Sequence, residues 1–288
     1  MSGLVLMALA YGLLAVFAVA FVVRSARLAR LPLHLRWELA PVPKDKDRAR
    51  YGGSYLEEAE WWRQPRKESK LSELSYMLQE IVFLKALFEH NRRLWWFSFP
   101  FHFGLYLLAG VAGLVVFGGL ASLVGVGGAV PGLVSGVTPV LAGAGYALGA
   151  VGALGLLVRR LTDPALRSFT TPVALFNLAL LVAVFVTGAV AVLSVGDFAG
   201  RALALTGGLL TATPPTDLSG PMAAHVVLAL VFLAYLPFGQ MMHFVAKYFT
   251  YHQVRWDDRP LEAGGAIDRE VEQLLQQPVT WAGPHVHA

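Results

Sequence analysis

Residues 222–247 read Met222-AAHVVLALVFLAYLPFGQMMHFVA-Lys247, an apolar run that carries two histidines, His225 and His243. Eighteen positions separate them, five full turns at about 100° per residue, so on one continuous helix both imidazoles share a face. At about 1.5 Å per residue they stand roughly 27 Å apart, close to the ~30 Å hydrocarbon thickness of a bilayer. The spacing therefore predicts one membrane span with an imidazole near each edge. Ionisable side chains inside a span are costly and read as functional. Imidazole is also the usual protein ligand of heme iron, so the face is a candidate for two stacked hemes.

The rest of the chain agrees with a membrane reading. Of its 288 residues 56% are hydrophobic, and the mean hydropathy is +0.57, values outside the soluble range. The basic balance (sequence pI about 9.4) does not point to nucleic acid, because the charges sit between apolar runs. Cysteine is absent, which excludes disulfides, thiolate-bound iron–sulfur clusters and c-type heme attachment within this chain. Any heme is then non-covalent and any iron–sulfur cluster belongs to a partner.

Taken in order, residues 1–23 form the first span, without a basic n-region or cleavage site, and read as retained. Residues 24–93 are polar and charged. Within them Leu71, Leu74, Leu78, Ile81, Val82 and Leu84 fall largely at helical spacing beside Glu73, Glu80, Lys85 and Glu89, an amphipathic pattern suited to a membrane surface or a partner. Trp61 and Trp62 lie amid charge, as interface anchors often do. The second span runs from Leu94 to about Leu120, the third from about Val137 to Val158 and the fourth from about Pro172 to Ser194. Residues 195–220 form a longer connection, and the fifth span ends at Lys247. Residues 94–247 then make a four-helix heme-binding bundle, and 248–288 a soluble tail.

All Lys and Arg residues except Arg201 lie in the first long connection, the Arg159–Arg167 turn or the tail. With five spans the positive-inside rule places the N-terminus out and the C-terminus in. The expected fold is thus an all-α, five-helix membrane bundle with a long cytoplasmic amphipathic segment between helices 1 and 2.

His102 lies about a turn and a half inside the cytoplasmic start of the second span, and His243 near the cytoplasmic end of the fifth. At matching depth they suit a bis-histidine, six-coordinate b-type heme; the alternative is two buried histidines bonded to backbone or to each other. Gly104, Gly110 and Gly113 leave room for a macrocycle or for close helix packing. His90, twelve positions before His102 and next to Arg92 and Arg93, reads as a surface or propionate-proximal residue and a weaker ligand candidate. His34, His252, His285 and His287 lie in charged segments and read as solvated. The spans offer few other polar groups beyond Asn177, Tyr146 and Thr187. A proton transporter would need a polar path that these hardly provide.

These residues resemble the membrane cytochrome b (gamma) subunit of respiratory nitrate reductase and its wider superfamily. His225, Pro237-Phe238 and His243 stand in the spacing His-x11-Pro-Phe-x4-His, similar to that family's paired ligands, and the turn LVRRLTDPALRSFTT (157–171) resembles its third-to-fourth-span connection. The resemblance covers about residues 94–256. The family's second span carries two ligands ten residues apart, the first in a Phe-His-x-Gly setting like that of His102; ten positions later this chain has Ala112. The resemblance thus supports the cytoplasmic-side heme on both helices, and leaves an outer heme with His225 alone, five-coordinate, or else His225 hydrogen-bonding a quinone. The long charged segment is more similar to the cytochrome b subunits of heterodisulfide reductase and of sulfate-reducer transmembrane redox complexes, whose partner is a cytoplasmic, cysteine-rich iron–sulfur protein. The implied function is a heme b anchor in a prokaryotic cytoplasmic membrane, passing electrons between menaquinol and that partner. The alternatives are the gamma subunit of a nitrate reductase-type molybdoenzyme and a heme-free anchor.

Overall fold

The computed structural model describes residues 2–31, 59–60, 69–126, 129–215, 218–249 and 263–277. Among them all regular structure is helical, and five helices are long and apolar enough to cross a membrane. They are Gly3–Ala29, Arg92–Leu123, Ala129–Thr162, Pro172–Ser194 and the run Gly220–Phe238. The expected five-helix, all-α membrane fold is what the chain adopts. His34, Trp61, Trp62, His252, His285 and His287 lie outside the described residues.

Local chemistry sets the boundaries. The Asn91 side chain accepts from the Leu94 amide at 3.1 Å and starts the second span, and Thr171 accepts from the Ala174 amide at 3.2 Å to start the fourth. Between the third and fourth spans, Asp163 caps the short helix Pro164–Arg167 and pairs with Arg159. The third span starts at Ala129 rather than at about Val137, because a proline in the first turn of a helix, here Pro131, gives up no intrahelical hydrogen bond. The connection after the fourth span is not irregular throughout: Phe198–Thr211 is a helix capped by Asp197.

The chain divides into two compact units, Met1–Ala20 with Met77–Gly239, and Phe21–Tyr76 with Gln240–Ala288. In the first, the second span packs on the third, the third on the fourth and the fourth on the fifth, with the Phe198–Thr211 helix against the second and third. Glycines set the closest of these approaches. A Cβ on Gly104 would stand 2.6 Å from the Gly145 oxygen and the Gly149 nitrogen, and one on Gly152 2.4 Å from the Phe101 nitrogen. Backbones in contact at this range leave no room for a macrocycle at Gly104; that glycine serves helix packing. Gly110 and Gly113 meet nothing within 4 Å. On its other side the third span takes the wholly buried Phe185 ring against Gly149, while its own Tyr146 ring lies against Gly188 of the fourth. In the second unit, Phe21 of the first span stacks on Phe244, ring centroids 6.2 Å apart.

The fifth span departs from the expected single helix. Its α-helix ends at Tyr235, followed by 3₁₀ turns at Leu236–Phe238 and Gln240–Met242 and a short α-helix, His243–Lys247. Pro237 has no amide hydrogen to extend the α-helical ladder, and Gly239 is extended (φ −101°, ψ −177°). The hundred-degree count from His225 to His243 therefore does not carry across the break. His90 is likewise not on one helix with His102: it ends the separate helix Lys85–His90, and Asn91 (φ −144°, ψ 72°) intervenes.

Candidate functional site

The histidines fall into two chemical settings. His102, partly buried in the second span, lies with Nδ1 2.7 Å from the Ser98 carbonyl one turn earlier. A carbonyl only accepts, so Nδ1 carries the hydrogen and Nε2 the lone pair. In the second unit, His243 donates from Nδ1 to the Gln240 carbonyl at 3.2 Å, which again leaves the lone pair on Nε2. That is the donor state a metal-ligating imidazole needs, with the other ring nitrogen orienting it through a backbone carbonyl. Each imidazole, taken by itself, is in a tautomer that could ligate a metal through Nε2. His90 is exposed at the end of its short helix.

His225 is held differently. It is only 8% exposed; the Tyr146 hydroxyl lies 2.7 Å from its Nε2, and Thr187 Oγ1 lies 3.2 Å from its Nδ1. Thr187 spends its one hydrogen on the Ala183 carbonyl, 2.8 Å away, so it accepts from His225 Nδ1–H. Nε2 is then the acceptor, and Tyr146 donates to it. Both nitrogens of a neutral imidazole are engaged, and the one that would face iron faces a phenol. The donor set at His225 does not fit a heme in this arrangement.

A second polar contact ties the same helices: the Tyr235 hydroxyl donates to Asn177 Oδ1 at 2.9 Å, and Asn177 is buried. Tyr146, Asn177 and Thr187 thus each meet a residue of the fifth span, Tyr146 and Thr187 at His225 and Asn177 at Tyr235. Sequence reasoning picked out all three but did not pair them, since Tyr146 and His225 are 79 positions apart. The one available signal was their scarcity in apolar surroundings, where an unpartnered polar group is costly. Among the described residues no group of three or more His, Cys, Asp or Glu side chains is gathered to hold a metal ion. A heme needs only one or two imidazoles, so this does not bear on it.

No curated protein and no solved structure matches the chain. The family model described as nitrate reductase gamma subunit matches residues 85–257, more than half of the chain, from the short helix before the second span to beyond the fifth. The match covers four of the five apolar helices, and the chain belongs to the nitrate reductase gamma subunit family.

Proposed function

We propose that the protein is the heme b-carrying membrane subunit of a respiratory oxidoreductase, passing electrons between a menaquinol-type pool and a cytoplasmic iron–sulfur subunit. Family membership supports a cytochrome b-type membrane subunit. The observation that carries the finer reading is the matched state of His102 and His243, each donating from Nδ1 to a backbone carbonyl of its own segment and keeping its lone pair on Nε2. These two would hold the heme as axial ligands. A bis-histidine b-type heme supplies reversible one-electron transfer without an open coordination position.

The remaining residues support the iron rather than change its ligation. Ser98 and Gln240 carbonyls fix the two rings through Nδ1. Ala112 stands where the family carries a second ligand on the same span, and Nε2 of His225 accepts from Tyr146. We read this chain as a one-heme member, with His225 a hydrogen-bonding residue in the outer half of the bundle. The basic loops support a cytoplasmic C-terminus and a connection of residues 24–93 that lies on the same side of the membrane; the soluble partner would dock on its part before Lys70. The absence of cysteine leaves iron–sulfur chemistry to that partner.

The test is anaerobic reduction of the purified native complex by a menaquinol analogue, followed at the b-type α band, with identification of the co-purifying subunits. The expected result is quinol-dependent heme reduction and a cysteine-rich iron–sulfur protein in the complex. A complex that carries no heme, or whose heme ignores quinol, would reject the reading.

A further inference from the structure

Helix Lys70–Val82, which the sequence leaves open between membrane and partner, is arranged inside out for a helix bathed in water. Leu78 and Ile81 on it, and Phe83 just beyond, are 50%, 44% and 57% exposed, while Glu80 is 5% exposed. A helix packed on a soluble core buries its apolar stripe and exposes its acids. Here the apolar groups face out and the carboxylate faces in. Elements surrounded by lipid show this pattern, because charged groups there turn towards protein.

The end of the helix supplies an independent observation. The last carbonyls of a helix have no partner within it and are ordinarily left to water. Here the Tyr106 hydroxyl donates to the Ile81 carbonyl at 2.7 Å, and Trp95 Nε1–H donates to the Phe83 carbonyl at 2.8 Å. Both donors come from the second span. Tyr106 lies ten residues past Trp96, about 15 Å of helix, and helical side chains lean back by roughly one turn. The Ile81 carbonyl therefore sits about two turns inside the Trp95–Trp96 girdle. At that depth no water satisfies a carbonyl, so the protein must provide the donor.

The chain then turns back. Leu84 adopts the left-handed conformation (φ 52°, ψ 50°), and the short helix Lys85–His90 returns to Asn91, the cap of the second span. Phe88 meets Trp95 edge to face with centroids 5.0 Å apart, and the Arg92 guanidinium covers the Phe88 ring at 3.4 Å. Polar groups of the turn are directed at each other: Lys85 Nζ donates to Gln79 Oε1 at 3.0 Å. A lysine stem of that length crosses apolar surroundings with its ammonium held at a polar site.

We infer that Met77–His90 is a membrane-dipping hairpin whose Leu78–Ile81–Phe83 side is seated among lipid acyl chains. The occupant is lipid, because the hairpin is bonded along the second span, whose own apolar side chains Trp96, Val116, Phe117 and Leu120 are exposed in the same way, and because its helix-end carbonyls are supplied with donors from within the protein. Partner docking then falls to the part of the charged segment before Lys70. This does not depend on the heme reading.

The chain contains no cysteine, so single cysteines introduced at Leu78, Ile81 and Phe83 report without background. These side chains are exposed, and their replacement does not threaten the fold. The variants are made in the native complex and probed in permeabilised vesicles with a membrane-impermeant maleimide, before and after chaotropic stripping of peripheral subunits. Nitroxide-labelled samples are relaxed with oxygen and with a water-soluble nickel chelate. All three sites should resist the maleimide before and after stripping and react once detergent is added. Their nitroxides should relax several-fold more with oxygen than with nickel, while Glu89→Cys, exposed on the returning helix, labels in the permeabilised vesicles before detergent is added. Labelling of Leu78→Cys, Ile81→Cys and Phe83→Cys in the permeabilised vesicles before detergent is added would overturn the inference. So would labelling that appears only after stripping, which would mean that a protein partner covers the face.

Discussion

The Tyr146 hydroxyl lies 2.7 Å from Nε2 of His225, and joins the third span to the fifth through the nitrogen an iron would take. Thr187 of the fourth span holds the opposite nitrogen, so one imidazole ties three helices. Interhelical hydrogen bonds in membranes contribute about 0.6–2 kcal/mol each. Tyr146→Phe should cost about 1 kcal/mol in thermal unfolding of the detergent-solubilised protein. His225→Ala should cost more, about 2–4 kcal/mol, because it strands two partners and opens a cavity. Neither variant should alter the heme content per chain or the low-spin signal. A halved heme content in His225→Ala would return that residue to iron ligation.

The glycines of the second span make contrasting predictions. Gly104→Ala places a Cβ 2.6 Å from the backbone of the third span, so the helices must separate; a loss of about 1–3 kcal/mol is expected. Gly110→Ala meets nothing within 4 Å and should be neutral or stabilising by up to about 1 kcal/mol, as alanine suits a helix better than glycine. Equal behaviour of the two in thermal melts would show that the close approach at Gly104 does not hold the bundle.

Much of this architecture was legible in the sequence because apolar length and loop charge are local signals. The fourth span has the boundaries its flanking Pro172 and Ser194 indicate. The break in the fifth span was visible as Pro237 but was outweighed by the spacing of two histidines, which tempts a continuous helix. The pairing of Tyr146 with His225 was not legible, since contacts between distant segments leave no periodic trace. The helix at Phe198–Thr211 was missed for a related reason: its glycines and threonines weaken the apolar pattern, while the Asp197 cap that starts it is plain in retrospect.

Topology follows from the basic residues. Reporter tags after Ala288 and within residues 40–60 should both report the cytoplasm, in agreement with the positive-inside rule. Alkaline phosphatase activity from either fusion would overturn the five-span topology.

Deleting residues 40–68 should release the soluble partner from membranes while the b-type spectrum persists, because the expected docking anchors Trp61 and Trp62 lie there and the heme ligands do not. Co-purification of the partner at wild-type yield with the deleted chain would show that it docks elsewhere.

The central claim is that His102 and His243 together hold one heme b. It is tested most directly by heme quantification with low-temperature EPR on the purified wild type and on His102→Ala and His243→Ala. The account predicts one low-spin heme per wild-type chain and loss of that signal in each variant, since either substitution removes one of two axial ligands. A full low-spin spectrum in both variants would contradict it.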